Sequence, residues 1–193
     1  MEQFLSPKLL EALEFSALAH HGQLRKNSTN IPYFSHPAAV AIILSQAGFP
    51  EEVVIAGALH DVIEDTKYTA EDIKKRFGER ILQIVLSVTE NKDLDWSERN
   101  EAYNNHLREV DEATLAVSAA DFLSNRQSLL LELRKGNNPW VYFGSKPKEY
   151  AQKRLEFDKE RLTILKQRLH HPLVSELEAL ENETINLTSK LSW

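Results

Sequence analysis

Cysteine is absent from the 193 residues, which excludes disulfides, iron–sulfur clusters and thiolate zinc sites. Glycine and proline are sparse, at 6 and 7 residues. So few chain breakers favour long helices over many short strands joined by turns. No apolar run approaches the ~20 residues that a membrane span needs. The opening Met1-Glu2-Gln3-Phe4-Leu5-Ser6 does not begin a secretory signal. These absences predict a cytoplasmic protein with no membrane partner. Positive charge is also short, with 23 Lys and Arg against 29 Asp and Glu, a net of −6. That balance argues against binding long nucleic acid and leaves room for a small phosphorylated ligand in a local basic pocket.

What is present is concentrated in residues 50–66, which read as one helix. Pro50 stands at the first turn, Glu51 and Glu52 follow it, and apolar residues then run without a break to His60. With His60 at 0° and about 100° per residue, Glu64 falls near 40°, Asp61 near 100° and Asp65 near 140°. Ala58, Val62, Ile55, Leu59, Ile63 and Ala56 fill the opposite arc. One face is core, and the other carries an imidazole and three carboxylates within two turns. Carboxylates this close repel one another and are costly to desolvate unless a cation sits among them. A divalent metal is the simplest resolution.

The rest of the chain reads as helices too. Ser6-Pro7 is an N-cap followed by proline at the first helical position, and the first helix closes at His20, His21 and Gly22. At least one of those two histidines is expected only to complement the helix dipole. A polar loop with Arg25 and Lys26 leads to Ser35-His36-Pro37, the start of a second helix. A cationic histidine is disfavoured at a helix start, whereas a neutral imidazole donating its lone pair to a metal is not. Thr69 caps a short helix, residues 81–88 mark a buried one, and 90–110 read as a polar surface helix. Residues 112–134 form a long helix in which Asp121 is the one charge between Leu115 and Leu123, and a carboxylate so placed needs a partner. Residues 137–147 form an aromatic loop, either folded onto the core or walling a ligand site. Two further helices follow, broken at Pro172. The fold class predicted is all-α, a single domain of about eight or nine helices.

Taken in order, His36, His60-Asp61 and Asp121 resemble the His…His-Asp…Asp signature of the HD superfamily of metal-dependent phosphohydrolases. The resemblance narrows with residues 19–26, the Pro32-Tyr33-Phe34-Ser35-His36-Pro37 run, Glu64-Asp65-Thr66, Phe77-Gly78 and residues 120–125. Together these look like the hydrolase domain of RelA/SpoT enzymes, which remove the 3′-pyrophosphate of guanosine 3′,5′-bis(diphosphate), ppGpp. The likeness covers about residues 10–165 and leaves a helical extension at about 173–190. The length suits a stand-alone small alarmone hydrolase, similar to the metazoan SpoT homologue.

The resemblance implies an enzyme with one divalent ion, expected to be Mn²⁺, on His36, His60, Asp61 and Asp121. It also implies Glu64 and Asp65 in catalysis and Arg25, Lys26, Asn27 and Asn125 in binding a nucleotide. A homo-oligomer stays open at this stage. Two departures stand out: Phe122 occupies a position that is usually basic, and Ser124 one that is usually His or Tyr. Arg126 and Lys153 are candidates to restore phosphate contacts by another route. The alternatives are an HD phosphohydrolase acting on NADPH or a nucleoside monophosphate, and a nucleotide sensor without turnover.

Overall fold

Ser6 accepts a hydrogen bond from the Leu9 amide at 3.1 Å, and Pro7 behind it opens α1 (Pro7–Ala19). The computed structural model describes residues 5–26 and 30–193. After α1 come α2 (Ser35–Gln46), α3 (Glu51–Leu59), α4 (Val62–Asp65), α5 (Ala70–Phe77), α6 (Glu79–Val88) and α7 (Trp96–Leu107). The long α8 (Glu112–Arg134), a 3-10 turn at Pro139–Phe143, α9 (Pro147–Arg168) and α10 (Pro172–Thr188) complete the order. Residues 50–66 are not one continuous helix, since the regular pattern breaks into a turn at His60 and Asp61, where Asp61 has ψ of −3°. Counting α3 and α4 as one interrupted helix gives nine among the described residues, and the fold is all-α as the composition predicts. No helix among them is long and apolar enough to cross a membrane.

Helix α3 is the centre of the packing. Every residue from Val53 to Leu59 is buried, and α3 lies against α1, α2, α6 and α8. An all-round apolar helix has no solvent face to keep, so it belongs inside the bundle. The nearest neighbour is α2, and Gly57 is what lets it close in. A Cβ at Gly57 would lie 2.4 Å from Leu44 Cδ1 and 3.1 Å from Val40 Cγ1, both on fully buried side chains. Gly57→Ala is therefore expected to lower unfolding free energy by about 1–3 kcal/mol through overpacking, despite alanine's better helix propensity. Urea unfolding would show it, and an unchanged midpoint would mean that Leu44 moves aside freely.

Two features place the remaining elements around the site. The loop after α1 is pinned at its base by Arg25 N donating to Ile31 O at 3.0 Å and Tyr33 N to Gln23 O at 2.8 Å. Helix α7 keeps the solvent face that its polarity predicts, at Glu98, Glu101, Asn105 and His106, and buries Asn100, Tyr103, Asn104 and Leu107 as it packs against α9. Its two buried asparagines are met by polar groups of α9: Arg161 donates to both, and Asn104 donates to the Phe157 carbonyl.

Candidate functional site

Three elements converge on one point. The first turn of α2 supplies His36, the break after α3 supplies His60 and Asp61, and the middle of α8 supplies Asp121. His36, His60 and Asp121 can each offer a ligand atom, all within 4.8 Å of one another. His36 Nε2 lies 2.9 Å from Asp121 Oδ1 and 3.7 Å from Asp61 Oδ2, and His60 Nε2 lies 3.0 Å from Asp61 Oδ2 and 3.7 Å from Asp121 Oδ1. The imidazole rings are 5.1 Å apart and nearly perpendicular. This is the partner that the lone charge of α8 demands.

The tautomers follow from what stands behind each ring. His60 Nδ1 is 2.8 Å from the Gly57 carbonyl, which can only accept, so Nδ1 carries a hydrogen and in the neutral ring Nε2 keeps its lone pair. That Nε2 is buried without a hydrogen-bond partner. His36 Nδ1 lies 2.9 Å from Ser124 Oγ, so a hydrogen on Nδ1 has an acceptor and the Nε2 lone pair stays available to a metal. Burial lowers the pKa of His36. Burial would lower His60 as well, but the Asp61 and Asp121 carboxylates outweigh it and raise it well above the ordinary imidazole range. Those two carboxylates would rise on burial and are instead held below the usual range by the imidazoles. The cluster calls for positive charge at its centre. Without an ion that charge is a proton on the His60 ring; a divalent cation in the proton's place would be met by two imidazole Nε2 lone pairs and two carboxylates.

The two carboxylates beyond the break face the same space. Glu64 Oε2 accepts from the Glu90 amide at 3.0 Å, and Lys92 Nζ donates to the Glu64 carbonyl at 2.7 Å. Burial, reinforced by the charges of Asp61, Glu90 and Asp65, pushes the Glu64 carboxyl up to about 7. Asp65 pairs with Lys92 through Oδ1, and its backbone carbonyl accepts from Gln23 Nε2 at 2.8 Å. Gln23 in turn meets His20 Nδ1 at 2.8 Å. His20 is buried and is therefore part of this scaffold, not a surface complement to the helix dipole. Tyr33 donates to Asp61 Oδ2 at 2.6 Å, and burial with that carboxylate drives its phenol pKa far up.

Of the residues expected to bind a nucleotide, Arg25 and Asn125 meet. Arg25 Nη2 donates to Asn125 Oδ1 at 2.8 Å, and Asn125 Nδ2 donates to Asp121 Oδ1 at 2.7 Å. Arg25 also lies over the Tyr33 ring at 5.6 Å. Lys26 lines the same cleft, while Asn27 lies outside the described residues. Sequence reasoning missed Tyr33, Lys92 and Glu90 as contacts of the carboxylates. Of these, only Tyr33 lies in one of the motifs that carry the family resemblance. Lys153 donates to Ser97 Oγ and does not line the cleft, so it restores no phosphate contact there. Arg126 does line it, buried and paired with Asp158.

The cleft is large, about 890 Å³, and runs from the His–Asp cluster to the aromatic loop. That loop does both things its composition allowed. Trp140 is buried and donates through Nε1 to Thr188 Oγ1 at 3.2 Å, while Tyr142 and Phe143 wall the cleft. Phe143 stacks on Tyr150 with centroids 5.3 Å apart, and the Trp96 ring lies 4.8 Å from that of Tyr150.

Comparison with known proteins places this arrangement among relatives. The HD domain family matches residues 12–127. The guanosine-3′,5′-bis(diphosphate) 3′-pyrophosphohydrolase MESH1 of Danio rerio is 37% identical over 123 residues, covering 63% of this chain and 68% of that protein. The guanosine-3′,5′-bis(diphosphate) 3′-pyrophosphohydrolase of Aquifex aeolicus is 34% identical over 152 residues, 77% of this chain but 20% of that enzyme. The chain thus spans a fifth of the long bacterial relative and about two thirds of the short one. Among solved structures, a metazoan SpoT orthologue described as hydrolysing ppGpp superposes with a TM-score of 0.81 at 27% identity, over 94% of this chain and 98% of the other.

Proposed function

The chain belongs to the HD domain family, and we propose that it is a divalent-metal-dependent phosphohydrolase that converts ppGpp to GDP and pyrophosphate. The observation that carries the substrate reading is the path Arg25–Asn125–Asp121. It ties the cationic loop directly to a carboxylate of the metal cluster, with bonds of 2.8 and 2.7 Å. A nucleoside gripped at that loop is thereby held in register with the cluster. Relatives 34% and 37% identical to this chain are named for the same reaction, which supports the reading.

His36, His60, Asp61 and Asp121 would hold the ion, with Mn²⁺ the expected occupant for this donor set. Bound there, a divalent cation supplies Lewis acidity towards a phosphoryl oxygen and towards water. The chain supplies the proton handling. Asp65, held by Lys92 and the Gln23-braced backbone, orients the water and takes its proton. Glu64, whose carboxyl is pushed up to about 7, keeps a proton near neutrality and delivers it to the 3′-oxygen as the phosphorus–oxygen bond breaks. Water oxygen ends on the departing pyrophosphate and the proton on the sugar hydroxyl. Arg25 and Lys26 bind the nucleoside end by stacking or by pairing with phosphate.

The test is a nucleotide panel with Mn²⁺-loaded protein, separating pyrophosphate from phosphate release. The expected result is GDP and pyrophosphate from ppGpp. The departures at Phe122 and Ser124 favour the second reading, a phosphohydrolase for NADPH or a nucleoside monophosphate. Phosphate released from either of those, with ppGpp left intact, would establish that reading instead. Binding without turnover across the panel would leave a sensor.

A further inference from the structure

Arg126, Arg154 and Arg161 all line the cleft beyond the metal cluster, and their charges are not balanced. Arg126 is 4% exposed and contacts Asp158 at 2.5 Å and Glu181 at 2.7 Å. Arg154 pairs with Asp158 at 3.0 Å. Arg161 is 3% exposed and, among the described residues, has no carboxylate within ion-pair distance. Its guanidinium is held by neutral groups only: Asn104 Oδ1 at 3.1 Å, Asn100 Oδ1 at 3.3 Å and the face of Tyr103 at 4.6 Å. Both asparagines are fixed in that orientation, because their Nδ2 groups donate to the Phe157 and Trp96 carbonyls. Three guanidiniums therefore contact two carboxylates, one of which, Glu181, burial pushes up to about 7, and Glu90, whose charge also reaches Arg154, is paired with Arg99.

A buried guanidinium without a counter-ion is costly, and a structure that holds one in place with amide oxygens and ring faces is prepared for an anion. The wall starts next to the metal cluster. Phe122 follows Asp121 on α8, and its ring lies 5.1 Å from Arg126 and 5.9 Å from Arg161. The cation missing from position 122 is replaced by arginines that reach the same region from α8 and α9. Arg154 has the most exposed side chain of the three, at 24%, and is the one placed to touch a ligand directly.

We propose that Arg154, backed by Arg161 and Arg126, forms a second phosphate subsite in the cleft, which takes the 5′-diphosphate of the nucleotide while the 3′ group lies at the metal. The identity of that diphosphate rests on the ppGpp reading, whereas the subsite itself does not. The probes are GDP and guanosine, titrated calorimetrically into EDTA-treated protein. GDP is expected to bind wild-type protein more tightly than guanosine, and Arg154→Gln to weaken GDP at least about tenfold with guanosine unchanged, as for a lost charge-assisted hydrogen bond. Arg154→Lys should recover part of the loss, which separates a charge effect from misfolding. In turnover, Arg154→Gln should raise KM for ppGpp more than it lowers kcat. GDP binding no tighter than guanosine in the wild type, or equal losses for both in Arg154→Gln, would overturn the subsite. If ppGpp is not hydrolysed while GDP still depends on Arg154, the subsite stands and the substrate reading falls. Hydrolysis of ppGpp with KM and GDP affinity untouched in Arg154→Gln has the opposite meaning.

Discussion

Asp121→Asn is expected to lose its metal and at least about a thousandfold in turnover, the several kcal/mol that a bound cation contributes to such a reaction. The substitution keeps size and shape, so the 23-residue α8 and its packing against α2 and α10 should survive. What changes is charge. Asp121 Oδ1 sits 2.9 Å from one Nε2 and 3.7 Å from the other, and it shares with Asp61 the task of making the buried pocket attractive to a cation. A neutral amide leaves one carboxylate against two buried imidazoles. Metal content after dialysis and far-ultraviolet circular dichroism, read on the same sample, decide the matter. Retention of one equivalent of metal with native helicity would remove Asp121 from the donor set.

Glu64→Gln and Asp65→Asn should behave differently: metal stays, and turnover falls by at least about a hundredfold, the usual scale for removal of a general acid or base. The reason is positional. Both residues follow the break at His60–Asp61 and are held away from the cluster centre by the Glu90 amide and Lys92. The pH dependence gives the sign. Glu64 is raised from 4.5 to about 7, so its proton is present below that value and lost as pH rises through it. A proton donor with that titration makes kcat fall on the alkaline side, and a cation bound beside it shifts the limb towards lower pH. Glu64→Gln should abolish the limb as well as the rate. A variant that keeps the limb assigns it to another group, and one that loses metal moves the carboxylate into the coordination shell.

The helices were legible because their signals are local. Ser6 before Pro7, Thr69 with Asp72 and the apolar run of residues 53–59 each act within a few residues of chain, and each stands where its pattern puts it. The metal-binding candidates were legible for a related reason. A carboxylate in the apolar middle of α8 and an imidazole at the start of α2 are each costly alone, so the sequence announces that something distant must relieve them. It does not say what else shares the cleft. The turn at His60 and Asp61 within an apolar helix, the Lys92 contact with Asp65, the burial of His20 and the inward face of α7 depend on residues far apart in the chain. Likewise, nothing local distinguishes Arg161, buried without a carboxylate, from Lys153, which ends up on Ser97. Both are cations on the same charged amphipathic helix. Only the packing of α9 against α7 and α8 decides which one is taken out of water, because the cost of burying a charge is set by neighbours that the local sequence does not contain.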